Sequence, residues 1–189
     1  MAASVARMWW SCVTSPAYGS GCGAMDLYSE LRFDADPAAV FAMLTDEAYI
    51  GKKTMAANAI RHEVTVRRDG DRVTIDLLRV MPPDVPDFVR RFVGETINIK
   101  QKDTWGPAAA DGSREGSIAL EMSGAPVKAT GTMTLSRNGG TSTVLTIKGL
   151  LKASVPLVGG KIEQALHQGL TEAAKIEERV GRDWLAGRR

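Results

Sequence analysis

Side chains that could do chemistry are few in this chain, and they are scattered. There are two histidines, His62 and His167. Histidine is the side chain whose ordinary pKa puts proton transfer near neutrality. Each is therefore a candidate base or ligand. His167 lies beside Leu166, one step from an apolar stripe, so it could border a cavity; a lone histidine there is more simply a helix-flank residue. His62, between Arg61 and Glu63, reads as an exposed strand end. A nucleophile needs its base presented to it. Ser123 or Ser154 could approach His167 only through the fold, and no Gly-x-Ser-x-Gly elbow occurs. Cys12 and Cys22 are the only cysteines, and neither has the spacing of a zinc site. Gly19-Ser20-Gly21-Cys22-Gly23 is glycine-rich, but no strand precedes it and no Lys-Ser/Thr follows, so it is not a phosphate loop. These residues predict no catalytic set, no metal site and no cofactor.

Asp76 and Arg79 are the polar pair that most invites a role. Both fall in a strand that carries Val73, Ile75 and Leu77. Side chains alternate across a strand. Asp76 therefore shares a face with Leu78, and Arg79 shares the face of Ile75 and Leu77. In a cavity, Arg79 would anchor a carboxylate or carbonyl. At a frayed strand end it would sit in water, and this second reading is favoured because charged side chains are rarely buried.

The elements that must position these residues are legible in the periodicity. From Val155 to Leu185, apolar or small residues recur at Val158, Ile162, Ala165, Leu166, Gly169, Ala173, Ile176, Val180 and Trp184. Steps of three and four put them on one face of a helix about 40 Å long. Glu163, Gln168, Glu172 and Lys175 are expected on the other face. Gly169 costs about 1 kcal/mol relative to alanine, which suggests a close approach of the sheet or room for a ligand. Upstream, Leu27, Leu31 and Phe33 alternate as a first strand. Asp36-Pro37 caps a short helix, and Thr45-Asp46-Glu47 begins a second that runs to about Ala57. Strands follow over 60–68 and 72–81, joined by the hairpin signal Asp69-Gly70. Pro86–Val93 reads as a helical turn. Further strands are expected over 95–105, 117–123, 127–136 and 143–153, with a loop over 107–116 and a turn at Asn138-Gly139-Gly140. Segregated helices and antiparallel strands make the class α+β. The domain expected is a single one over residues 25–189.

Residues 1–24 have a different composition, rich in Ala, Ser and Gly with Arg7 as the one charge. They read as a disordered extension. Met8-Trp9-Trp10 is too short an apolar stretch for a secretory signal. Met25 could be the true translation start; intact mass of the native protein tests that. The chain has 189 residues, with 24 basic and 22 acidic side chains and an aromatic share of 6%. This balance argues against a nucleic-acid partner. No apolar run is long enough to cross a bilayer as a helix. With no cysteine beyond Cys22, the body of the chain suits a reducing, cytoplasmic compartment.

Three strings carry a family resemblance: Asp36-Pro37-Ala38-Ala39-Val40-Phe41 after the first strand, Val155-Pro156-Leu157-Val158-Gly159-Gly160-Lys161-Ile162-Glu163 opening the last helix, and Val80-Met81-Pro82-Pro83-Asp84-Val85-Pro86 followed later by Trp105. With the element order, they resemble the START and birch-pollen-allergen (SRPBCC) superfamily, and the third is similar to a bacterial branch without assigned function. The resemblance implies a helix-grip fold: a curved antiparallel sheet of about seven strands wrapped around the C-terminal helix, with two short helices after the first strand and an apolar cavity between helix and sheet. The superfamily includes lipid carriers, polyketide aromatases and cyclases, quinone-binding proteins and co-chaperone domains, so fold alone does not choose.

The function expected is therefore a binding or carrier protein for a small hydrophobic molecule. Two alternatives stand beside it. One is a cyclase- or aromatase-like enzyme, which needs Asp76, Arg79 or His167 to converge in the cavity. The other is a co-chaperone-like interaction module, with the Pro82–Phe92 loop as its surface. The pocket or core residues expected are Asp76, Arg79, Ile97, Ile99, Leu120, Met133, Ile162, Leu166, His167, Gly169 and Ile176. A void of a few hundred Å³ between helix and sheet would support a ligand.

Overall fold

Alternation of apolar and polar side chains turns seven segments into strands, and two aspartates start the helices that interrupt them. In the computed structural model, which describes residues 24–83, 90 and 95–188, β1 (Met25–Phe33) leads into α1 (Pro37–Leu44) and α2 (Glu47–Ala56). The Asp36 carboxylate accepts the Ala39 amide at 2.8 Å, with Pro37 at the first helical position. Asp46 accepts from Ala48 and Tyr49 at 2.8 and 3.2 Å. These caps satisfy amides that the first helical turn leaves without partners. Then come β2 (Arg61–Asp69), β3 (Arg72–Met81), β4 (Ile97–Trp105), β5 (Arg114–Ser123), β6 (Val127–Arg137), β7 (Thr143–Ala153) and the long helix α3 (Gly159–Leu185).

The strands form one curved, fully antiparallel sheet in the order β1-β7-β6-β5-β4-β3-β2. The first strand thus pairs with the last, and β1 and β2 are the edges. Its inner face is laid out in rows by the register. One row runs Leu77, Gln101, Leu120, Ala129, Leu151; the next runs Ile75, Asp103, Ile118, Gly131, Gly149. Helix α3 crosses this face, packing on β1 and β7 and against α1 and α2. The architecture is the α+β helix grip that the sequence predicts.

Two boundaries differ from expectation. Strand β5 begins at Arg114, inside the expected loop. Arg114 pairs with Leu135, donates to the Gly106 and Asp71 carbonyls at 2.8 and 2.9 Å, and lies over the Phe41 ring at 3.9 Å, which extends the ladder by three residues. Helix α3 begins at Gly159 rather than Val155. Leu157 has φ +65°, a conformation no α-helix admits, and Pro156 precedes it. The extension expected over residues 1–24 lies, apart from Ala24, outside the described residues, as does all but Arg90 of the expected turn over 86–93.

The core is divided in two. One cluster gathers Phe33, Tyr49, Trp105 and Leu135 around the C-terminal half of α3; Trp105 meets Phe41 edge-on at 5.8 Å, and Tyr49 meets Trp184 at 5.6 Å. The other gathers Ile97, Met122, Leu151 and Ile162 around its N-terminal half.

Candidate functional site

Between the two clusters, α3 and the sheet part. A hollow of about 110 Å³ opens there. Leu27, Leu120, Ala129 and Leu170 border it from one cluster, and Ile118, Ile147 and Ala174 from the other. A second chamber of about 50 Å³ lies alongside; Arg79, Leu120, Ala129 and Leu170 border both. The hollow exists because α3 leans toward β1 and β7, leaving β4 and β5 partly uncovered. Glycine deepens it. Gly131 and Gly149 face each other across β6 and β7, and a Cβ on either would run into the other strand's backbone. Both volumes fall below the few hundred Å³ expected from the sequence.

The polar residues of this region form two pairs beside an arginine. Arg79 borders both chambers, and its Nε is fully buried without a hydrogen-bond partner. Burial lowers the guanidinium pKa, while Glu177 and Asp103 act to raise it. Yet neither carboxylate comes within ion-pair distance. Glu177 is taken by Lys53 of α2 at 2.5 Å, and its backbone carbonyl accepts the Tyr49 hydroxyl at 3.2 Å. Asp103 is 9% exposed, and both its oxygens accept from Gln101 Nε2, at 3.0 and 2.9 Å. Burial pushes the Asp103 carboxyl up to about 6, with Lys53 and the Gln101 hydrogen bond opposing the rise. Burial likewise raises the Tyr49 phenol. Among the described residues no three His, Cys, Asp or Glu side chains gather as metal ligands.

The expected site residues divide into three groups. Arg79, Leu120 and His167 border the larger hollow, and Ile99 and Leu166 border the smaller. Ile97, Met133, Ile162 and Ile176 belong to the packed clusters. Asp76 and Gly169 point away. Asp76 is on the outer sheet face in an exposed ion pair with Arg67, because even-numbered positions of β3 face outward. Gly169 is exposed and a Cβ there would meet nothing. The close approach falls at Gly181 instead, where a Cβ would come within 2.5 Å of Phe33 and 3.1 Å of Met43 and of the Tyr49 hydroxyl. Arg79 is likewise not at a frayed end in water: β4 continues the ladder past it, pairing Ile99 opposite. Glu163, expected in solvent, is 3% exposed and accepts the Ala153 amide at 2.8 Å, tying α3 to the end of β7. His62 is half-buried and faces Gly51 of α2.

Gln101, Asp103, Glu177 and Lys53 were not singled out by the sequence reading, though a signal exists for three of them. Strict alternation from Ile97 through Ile99 to Trp105 puts Gln101 and Asp103 on the apolar face. Glu177 lies four residues after Ala173 and three before Val180, on the buried stripe.

Solved structures with this architecture include an aromatase/cyclase from a Streptomyces species, with a TM-score of 0.60, 11% identity and coverage of 87% of this chain and 95% of that one. A Thermus thermophilus protein gives 0.57, 14%, 87% and 99%. A START superfamily protein from Mycobacterium smegmatis gives 0.53, 16%, 84% and 97%. At these identities the likeness is one of fold, and the fold is START-like. The particular family follows from the sequence. A model described as "Protein of unknown function (DUF2505)" matches residues 29–185, and the chain belongs to that family. An uncharacterized protein of Mycobacterium tuberculosis is 28% identical over 120 residues, 62% of this chain and 67% of that protein.

Proposed function

We propose that this chain binds and carries a small hydrophobic molecule, lipid-, quinone- or polyketide-like, in the hollow between α3 and the sheet. The split core is the observation that supports it. Protein interiors close-pack, and here two clusters stop short of each other around a space where Leu, Ile and Ala side chains alternate with polar ones such as Gln101, His167, Thr171 and Glu177. An apolar cavity of about 150 Å³ is enough to take up a benzene ring; the larger hollow alone is smaller, so even a ring-sized body would need part of the chamber beside it. A longer ligand would use both chambers, which share Leu120 and Leu170. A cytoplasmic location is a companion proposal, supported by the absence of cysteine after Cys22. Among the described residues no helix is long and apolar enough to cross a membrane. Native mass spectrometry after mild purification, followed by titration with an apolar fluorescent probe, tests the reading. A bound small molecule, or probe uptake at one site, supports it; a protein that arrives empty and takes up no probe defeats it.

One observation favours a second reading, an acid–base enzyme of the cyclase or aromatase kind. Asp103, with its carboxyl near 6, has the range wanted of a general acid or base. Its position argues the other way: it does not border the hollow, and Asp76, which that reading also drew on, faces outward. Loss of water from a bound polyketide, read by mass, would be its signature. The interaction-module alternative takes the Pro82–Phe92 loop as its surface, and of that loop only Pro82, Pro83 and Arg90 are among the described residues.

A further inference from the structure

The two edges of the sheet are finished differently. At β2, α2 packs alongside, and Glu47 accepts the Val66 amide at 3.1 Å. At β1, the Arg32 carbonyl accepts from Arg182 of α3 at 3.1 Å; among the described residues no side chain or loop reaches the backbone of Asp26, Tyr28 or Glu30 from that side. Backbone polar groups of an antiparallel strand point to one neighbour and the other in turn. The Arg32 carbonyl looks away from β7, so Asp26, Tyr28 and Glu30 present their N–H and C=O groups to the same free edge. The close approach of Gly131 to Gly149 agrees. Residues that close across antiparallel strands do not bond each other, so Gly149 turns its amide to Leu27 of β1 instead. A free edge of this kind is a template for another strand.

The sequence of β1 is complementary to itself. Laid antiparallel about a two-fold axis at Ser29, the strand sets Asp26 opposite Arg32 of a second copy and Tyr28 opposite Glu30. On the inner face it sets Leu27 opposite Leu31 and Met25 opposite Phe33. Opposite charges meet, and Tyr28, which donates to Glu30 within the chain at 2.6 Å, meets the same acceptor across the axis. Neighbouring registers fail. An axis at Tyr28 sets Asp26 against Glu30, and an axis at Glu30 sets that carboxylate against itself; like charges directly opposite are destabilising. Asp26, Tyr28, Glu30 and Arg32 are all exposed, Tyr28 at 58%. We propose that two copies of this chain associate through β1, antiparallel about Ser29, and join their sheets into one. The Asp26 amide of one copy then takes the Arg32 carbonyl of the other, and Arg182 keeps its ion pair with Glu178. Leu27 and Ser29 also border the hollow, so the second strand runs along its β1 side.

One strand pair buries less than a standard interface, so the dimer is a weak one, with a dissociation constant of about 10–500 µM. Sedimentation velocity of the full chain over about 5–500 µM should show the average mass rising toward that of two chains. Asp26→Arg puts like charge opposite the partner's Arg32, and Arg32→Asp puts it opposite the partner's Asp26. Each variant alone should associate about tenfold or more weakly than the natural chain. Mixed in equal amounts, the two variants restore opposite charges at both ends of the strand pair. The mixture should then associate as the natural chain does, which also shows that both variants fold. In the natural chain, the amide NMR shifts that move with concentration should be those of β1. A chain that stays monomeric over the whole range overturns the proposal, as does concentration dependence confined to another element; neither result depends on a variant folding. A dimer indifferent to both reversals overturns it too, as does a mixture of folded variants that associates no more tightly than its parts.

Discussion

Asp103 offers the sharpest test of the buried polar group. Its carboxyl is raised from 3.8 to about 6 by burial. At about 1.4 kcal/mol per pKa unit, the ionised folded form is disfavoured by about 3 kcal/mol. The sign follows from proton counts. Between the two pKa values the folded chain holds a proton that the unfolded chain has lost, so stability falls as pH rises from about 4 to about 6. Below that window the penalty is absent; above it, the penalty is full. Asp103→Asn removes the charge and keeps the shape. At pH 7 the variant gains up to about 3 kcal/mol, less about 1 kcal/mol because Gln101 now meets an amide in place of a second acceptor. At pH 4 only that loss remains. The assay is urea unfolding of both proteins at pH 4 and pH 7. With a slope near 2 kcal/mol per molar urea, the variant's midpoint should sit about 1 M higher at pH 7 and at or below the natural chain's at pH 4. A difference that is the same at both values, or larger at pH 4, would refute the reasoning.

Other substitutions examine the packing. Gly181→Ala should destabilise by about 1–3 kcal/mol, since its methyl would be driven toward Phe33, Met43 and Tyr49; Gly169→Ala should stabilise by about 1 kcal/mol, since only helix propensity changes there. Thermal unfolding of the two variants reads both signs. Arg79→Met should raise the Asp103 carboxyl further, because the guanidinium acts to lower it; an Asp103 titration, followed by NMR, that is unchanged in the variant would show that the guanidinium charge does not reach it. Leu120→Ala should cost about 2–5 kcal/mol and merge the two chambers, so apolar probe uptake should rise as stability falls.

What the sequence made legible was whatever depends on local period. Asp36-Pro37 and Asp46 announced two helix starts, Asp69-Gly70 a hairpin, and alternation most of the strands, because each is decided within a few residues. Where within the opening residues Val155–Gly160 the helix α3 starts was not legible, because nothing local marks the positive φ of Leu157. At the site, Arg79, Leu120 and His167 could be proposed from face and neighbour alone. Glu177 and Lys53 could not be paired, since their meeting depends on how α2 lies against α3, 124 residues further along the chain. Gly169 and Gly181 make the same point. One helix contains both, and only the angle at which α3 meets β1 decides which of them touches anything.

The pairing of β1 with β7, and the seating of Gly181 against Phe33, join the two ends of the domain. Arg182 adds to this by donating to the Arg32 carbonyl at 3.1 Å. A ribosome making this chain must therefore release residues as far as β7 before the first strand acquires its neighbour. Until α3 has emerged, the inner sheet face has no roof, and its Leu and Ile side chains face water. Contacts so distant in sequence make for slow acquisition of the native topology. The hollow beneath α3 therefore comes into being only when that helix docks.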